Sequence, residues 1–126
     1  MISFKEFLLE HTIRYRMPSV DIEYDEALRY EELQDKEVFG ALVAIGVVSY
    51  MNKLKGVGNI DTNLANLDKN KVKRVKKQIQ NGNIEYPIVG KFGDKYDLIS
   101  GNTRIAVLRS MGINPKVLVI NSSMTM

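Results

Sequence analysis

Apolar residues fall along this chain in two rhythms, one near every third or fourth position and one close to alternation. The helical rhythm comes first. Ser3 and Glu6 form a capping box, Ile2 and Phe7 a staple, and Phe4, Phe7 and Leu8 one face, which predicts a helix to about residue 10. Residues 12–20 read as a connector, because the residue before Pro18 avoids the helical region. Leu28 and Leu33 predict a helix over 25–34. Asp35 as a cap, followed by Val38, Phe39, Leu42 and Ile45, predicts another that ends at Gly46.

The pattern then changes. Residues 47–52 read as a strand and 55–63 as a loop with two glycines. Asp68 caps a helix over 69–80, with Val72, Val75 and Ile79 as its inner stripe and Asn81-Gly82 as its stop. Residues 86–92 and 95–100 predict an antiparallel hairpin turning at Gly93-Asp94, with Pro87 near a strand start where proline is tolerated. Gly101 breaks the second strand. Asn102 or Thr103 then caps a helix carrying Ile105, Leu108 and Met111, and Gly112 closes it. Residues 116–120 are the apolar run of a buried strand. These elements predict an α+β fold, with a small mixed β-sheet of 47–52, 86–92, 95–100 and 116–120 packed against helices. One domain over 1–126 is expected: a helical part at 1–46, sheet and corner at 47–121, and a tail at 122–126.

Composition narrows the chemistry. The chain has no cysteine, which excludes disulfides, thiolate zinc sites and cysteine nucleophiles. Its sole histidine, His11, builds no histidine-rich metal site, so no metal centre is expected from side chains. The longest apolar run, 41–48, is too short to span a bilayer, and residues 1–6 lack the pattern of a signal peptide. A cytoplasmic protein without membrane partners is the expectation.

The net charge of +3 hides a separation. Residues 21–37 carry eight acids against Arg29 and Lys36, whereas residues 69–77 carry six bases and no acid. Opposed electrostatic faces follow. The basic helix reads either as a solvated face or as a surface for nucleic-acid phosphates, with Lys69, Lys73, Arg74, Lys76 and Lys77 as the contacts. No aromatic residues interleave these bases, so stacking on single strands is not indicated.

The stretch from Tyr96 to Gly112 carries the most specific chemistry. A strand, a glycine and a helix start place unbonded N–H groups and the positive end of a helix dipole together, which suits an anion. Arg104, in the first turn, adds a two-pronged donor. Ser100, Gly101, Asn102, Thr103 and Arg104 are therefore the candidate phosphate-binding residues. Spacing alone favours a corner that binds nothing, in which Arg104 pairs with an acid such as Asp97, because one glycine and one arginine are a weak motif.

Pro87-Ile88-Val89, the hairpin, Gly101-x-x-Arg104 at a helix start, Gly112 and the closing strand 115–120 resemble the core of the ParB-like superfamily, which also contains sulfiredoxin. The resemblance covers about 68–121, and more loosely Met17-Pro18 onward. It implies that the corner binds the phosphates of a nucleotide such as ATP, ADP or CTP, with or without Mg²⁺. It carries over to Gly101 and Arg104 only. ParB proteins tend to have Glu-Arg between them, sulfiredoxins Cys-His, and related small kinases and phage domains His-His, whereas this chain has Asn102 and Thr103. The opening residues also resemble small phage proteins, which would place the chain in a host cytoplasm.

Some relatives are phosphotransferases or nucleotide hydrolases. The corner offers only cations and amides, so catalysis there would need a carboxylate, with Glu23, Glu26 and Asp97 as candidates. The expectation is a nucleotide-phosphate-binding domain. Its rivals are a DNA-binding or nuclease-like module using residues 69–80, and a non-catalytic interaction protein.

Overall fold

The computed structural model describes residues 13–18 and 36–121. The helices predicted over 3–10 and 25–34, the cap at Asp35, the tail 122–126, and the candidates Glu23 and Glu26 lie outside the described residues. What is described is a small mixed α+β structure. In chain order it comprises β1 (Arg14–Arg16), α1 (Lys36–Ala44), β2 (Val47–Tyr50), α2 (Lys69–Gln80), β3 (Asn83–Glu85), β4 (Ile88–Phe92), β5 (Lys95–Ser100), α3 (Asn102–Ser110) and β6 (Lys116–Asn121). Two single 3₁₀ turns, Met51–Lys53 and Leu64–Asn66, punctuate the stretch between β2 and α2.

Four strands form the main sheet in the order β2-β6-β4-β5. β6 is antiparallel to β2 and parallel to β4, and β4 and β5 form the predicted hairpin. One face of the sheet carries Ile88, Ile99, Leu118 and Ile120 and is covered by Phe39, Leu42 and Val43 of α1. The other carries Val89, Leu98 and Val117 and is covered by Ile105 of α3, with Met51. α2 lies outside α3, burying Val72, Val75 and Ile79 against Val107, Leu108 and Ile113. α3 is thus enclosed between the sheet and α2, which is why Thr103, Ile105, Ala106, Val107 and Leu108 are all buried.

The caps of α2 and the end of α3 follow the expected chemistry. Asp68 accepts from the N–H groups of Asn70 and Lys71. Gly112, at φ 74°, ends α3 with the paired bonds Gly112 N–H to Arg109 O and Ile113 N–H to Leu108 O. Gly46 acts differently from the C-cap expected of it. Any Cβ there would lie 2.8 Å from Leu118 Cγ, so the glycine lets the chain pass close over β6. Ile45, expected to face inward, is 57% exposed.

Two further differences bear on the site. The connector at 12–20 contains β1, which pairs in parallel with β3, an element in the unassigned residues between the expected helix stop at Asn81-Gly82 and the expected strand 86–92. The expected strand 86–92 starts only at Ile88, because Pro87 has no N–H to give a ladder. The Tyr86 N–H still bonds Arg16 O, and the Tyr15 and Tyr86 rings stack at 5.0 Å. The small two-stranded sheet is thereby fixed beside the start of α3.

Leu118 is 1% exposed on an inner strand and sits where both Gly46 and α1 meet the sheet. Leu118→Ala is expected to lower stability by about 2–5 kcal/mol in chemical denaturation. A loss below about 1 kcal/mol would show that α1 does not close this core.

Candidate functional site

The corner begins where β5 runs out. Gly101 takes the N-cap position of α3 at φ 99°, a left-handed conformation that strains any residue with a Cβ. A Cβ here would also lie 2.7 Å from Pro87 Cβ and 2.8 Å from Pro87 Cα. The close approach that glycine permits is therefore already taken by Pro87 of the same chain.

Neither Asn102 nor Thr103 caps the helix. The N-cap is glycine, and the opening turn has no side-chain cap. Asn102 instead turns its carboxamide onto the preceding loop, accepting from Asp61 N–H at 2.8 Å and donating to Asp61 O at 3.0 Å. Asp61 in turn accepts from Asn63 N–H and from the Asn66 amide. The loop is held a second time at Gly58, which bridges to the outer edge of β5 through Gly58 N–H to Tyr96 O and Leu98 N–H to Gly58 O. Thr103 is buried at the start of α3.

Arg104 lies across the corner with its side chain 16% exposed. Nη1 donates to Glu85 O at 3.1 Å and Tyr86 O at 3.5 Å, and Nη2 donates to Ser100 Oγ at 3.3 Å. Among the described residues it pairs with Glu85 at 3.6 Å, a partner that proximity in sequence did not suggest. Glu85 also pairs with Arg16 at 3.3 Å. The guanidinium therefore ties the end of β3 to the end of β5.

A cleft runs from this corner along α2. Its inner part is a cavity of about 190 Å³ walled by Ser100, Gly101, Asn102, Thr103 and Arg104 on one side and Lys71 and Val75 on the other. A second part, of about 220 Å³, shares Lys71, Val75 and Arg104 and adds Arg16, Arg74, Gln78 and Glu85. Among the described residues, four cations and one carboxylate thus line these two adjoining parts, at whose inner end the positive terminus of α3 lies. The arrangement suits a phosphate-bearing anion larger than a single phosphate.

The five corner candidates, Ser100 to Arg104, come together in the cleft. The basic set divides. Lys71, Arg74 and Gln78 recur at helical spacing and face the cleft, whereas Lys69, Lys73 and Lys76 fall on the opposite flank of α2 and Lys77 points outward. Asp97 is not part of the cleft. Its carboxylate lies against Gly58 at the edge of β5, where a Cβ on residue 58 would collide with it. Sequence reasoning left out Lys71, Arg16 and Glu85. The i, i+3, i+7 spacing of Lys71, Arg74 and Gln78 would have identified the cleft-facing flank, but no local signal links Glu85 to Arg104. Among the described residues no group of three His, Asp or Glu side chains is placed to hold a metal, and no helix is long and apolar enough to cross a membrane.

Comparison with protein-family models, curated proteins and solved structures returns no match for this chain.

Arg104→Ala removes a largely buried cation from two carbonyls, a hydroxyl and a carboxylate. Stability is expected to fall by roughly 1.5–3 kcal/mol, as for other hydrogen bonds to charged groups. Arg104→Lys should restore only part of it, since one ammonium cannot span both strand ends. Unchanged denaturation midpoints for both variants would contradict this tie.

Proposed function

We propose that this chain binds the phosphate groups of a nucleotide in the cleft between α2 and the start of α3. The observation that carries the reading is the meeting of two stretches far apart in sequence, the 100–104 corner and the Lys71–Arg74 flank of α2, around one depression. Clustered cations and an uncapped helix start are two devices by which proteins hold phosphate. The ParB-like resemblance points to the same corner and to ATP, ADP or CTP.

The roles within the cleft differ from those first expected. Arg104 is occupied by Glu85, Tyr86 and Ser100, and its part is to shape the corner and add background charge. The α3 opening turn and the exposed Lys71 and Arg74, which line the cleft, are the donors offered to the ligand. The reading is one of binding. Among the described residues, Asp97 lies outside the cleft and Glu85, the carboxylate inside it, is paired with two arginines, while Glu23 and Glu26 lie outside the described residues.

A second reading has its own observation. Lys69, Lys73, Lys76 and Lys77 are all exposed on the side of α2 away from the cleft, a surface open to a nucleic-acid backbone. Two charge reversals separate the readings. Titration calorimetry with ATP, ADP and CTP, with and without Mg²⁺, should show saturable binding that Lys71→Glu weakens by about tenfold to a hundredfold. The triple change Lys73→Glu, Lys76→Glu and Lys77→Glu should leave that affinity nearly intact. The opposite pattern, no nucleotide binding together with salt-sensitive DNA retention lost in the triple variant, would replace the first reading with the second.

A further inference from the structure

We infer that the Glu85 carboxylate is the internal occupant of a second anion subsite in the cleft, one that a ligand with two or more linked phosphates enters by displacing it. The inference rests on the phosphate reading above and specifies what that site accepts.

Glu85 stands where a second phosphate would go. One carboxylate oxygen pairs with Arg16 Nη1 at 3.3 Å and the other with Arg104 Nη1 at 3.6 Å. An anion held between two guanidinium groups is also how a phosphate group is commonly gripped. Arg74 and Lys71 line the same part of the cleft, and among the described residues Glu85 is the one acid in its wall. Its side chain is 31% exposed and that of Arg16 46%, so the Arg16 pair can open toward solvent without disturbing a core.

Arg104 does not depend on the carboxylate for its position. It is also held by the backbone carbonyls of Glu85 and Tyr86 and by Ser100 Oγ. Swinging the Glu85 side chain aside therefore leaves the cation where it is. A single phosphate at the corner meets Lys71 and the α3 amides, beyond the reach of this exchange. A linked second phosphate extends into the outer part, meets Arg74, and takes Arg16 from Glu85. Removing the carboxylate's charge should then help the longer anion far more than the shorter one.

The test is calorimetric titration of the full chain with orthophosphate and with pyrophosphate. Wild-type protein should prefer pyrophosphate by about tenfold or more, the size of one added charge-assisted contact. Glu85→Gln should tighten pyrophosphate by about threefold to tenfold, as expected from removing one like charge near a surface, and leave orthophosphate within about twofold. Arg74→Ala provides a check that does not depend on the Glu85 variant folding, because Arg74 is exposed and its side chain forms no ion pair among the described residues. It should weaken pyrophosphate about tenfold and orthophosphate little. Equal responses of the two anions to these changes, or weaker pyrophosphate binding by Glu85→Gln, would overturn this inference while leaving the phosphate site standing. No binding of either anion to any variant would overturn both.

Discussion

The structure around the cleft depends on one guanidinium. Arg104 stands in the first turn of α3, where a cation opposes the helix dipole at a cost of roughly 0.3–1 kcal/mol. The bonds to Glu85 O, Tyr86 O and Ser100 Oγ offset that cost, and they join parts of the chain that no regular ladder joins. Between β3 and β4 the chain passes Tyr86 and Pro87 without a strand, and Pro87 has no N–H to bond. Arg104 satisfies carbonyls on that passage, while Gly101 lets Pro87 pack directly on the turn into α3. Glycine, proline and arginine here form one mutual fit, and each is constrained by the other two.

That fit positions everything else in the cleft. Pairing of β1 with β3 sets Arg16 beside Glu85, and because the end of β3 is tied to the corner, both reach the cleft. Because α3 is buried on the sheet and under α2, its N-terminus opens against the Lys71 side of α2 rather than to bulk solvent. On the opposite side, Asn102, the first residue of α3, holds the loop at Asp61 by two bonds. The cleft is consequently made by packing, and its charges come from residues that need no further rearrangement to face one another.

Much of this fold is legible in the sequence because it is local. Asp68 and the Val72, Val75, Ile79 stripe mark α2, Gly93-Asp94 marks the hairpin, and Gly112 marks the end of α3, each within a few residues of the element it controls. What could not be read is non-local. Arg14–Arg16 and Asn83–Glu85 are three residues each and become strands only by pairing with one another. Asn102 looks like a cap until a distant backbone, that of Asp61, offers two bonds at once and glycine takes the cap position. Gly101 and Arg104 were legible as a pair, but a phosphate and a proline impose the same demand for a missing Cβ, and only the packing of Pro87 separates them. Glu85, which pairs with Arg104, is an acid on a strand that sequence reading did not find.

The central claim, that an anion binds in the cleft and not along the outer face of α2, is tested most directly by titrating ¹⁵N-labelled protein with ADP and following backbone amides by NMR. The predicted result is saturable shifts concentrated at Asn102, Thr103, Arg104, Lys71 and Arg74. Shifts confined to Lys69, Lys73, Lys76 and Lys77, or amides at the start of α3 that stay still at saturating ADP, would contradict it.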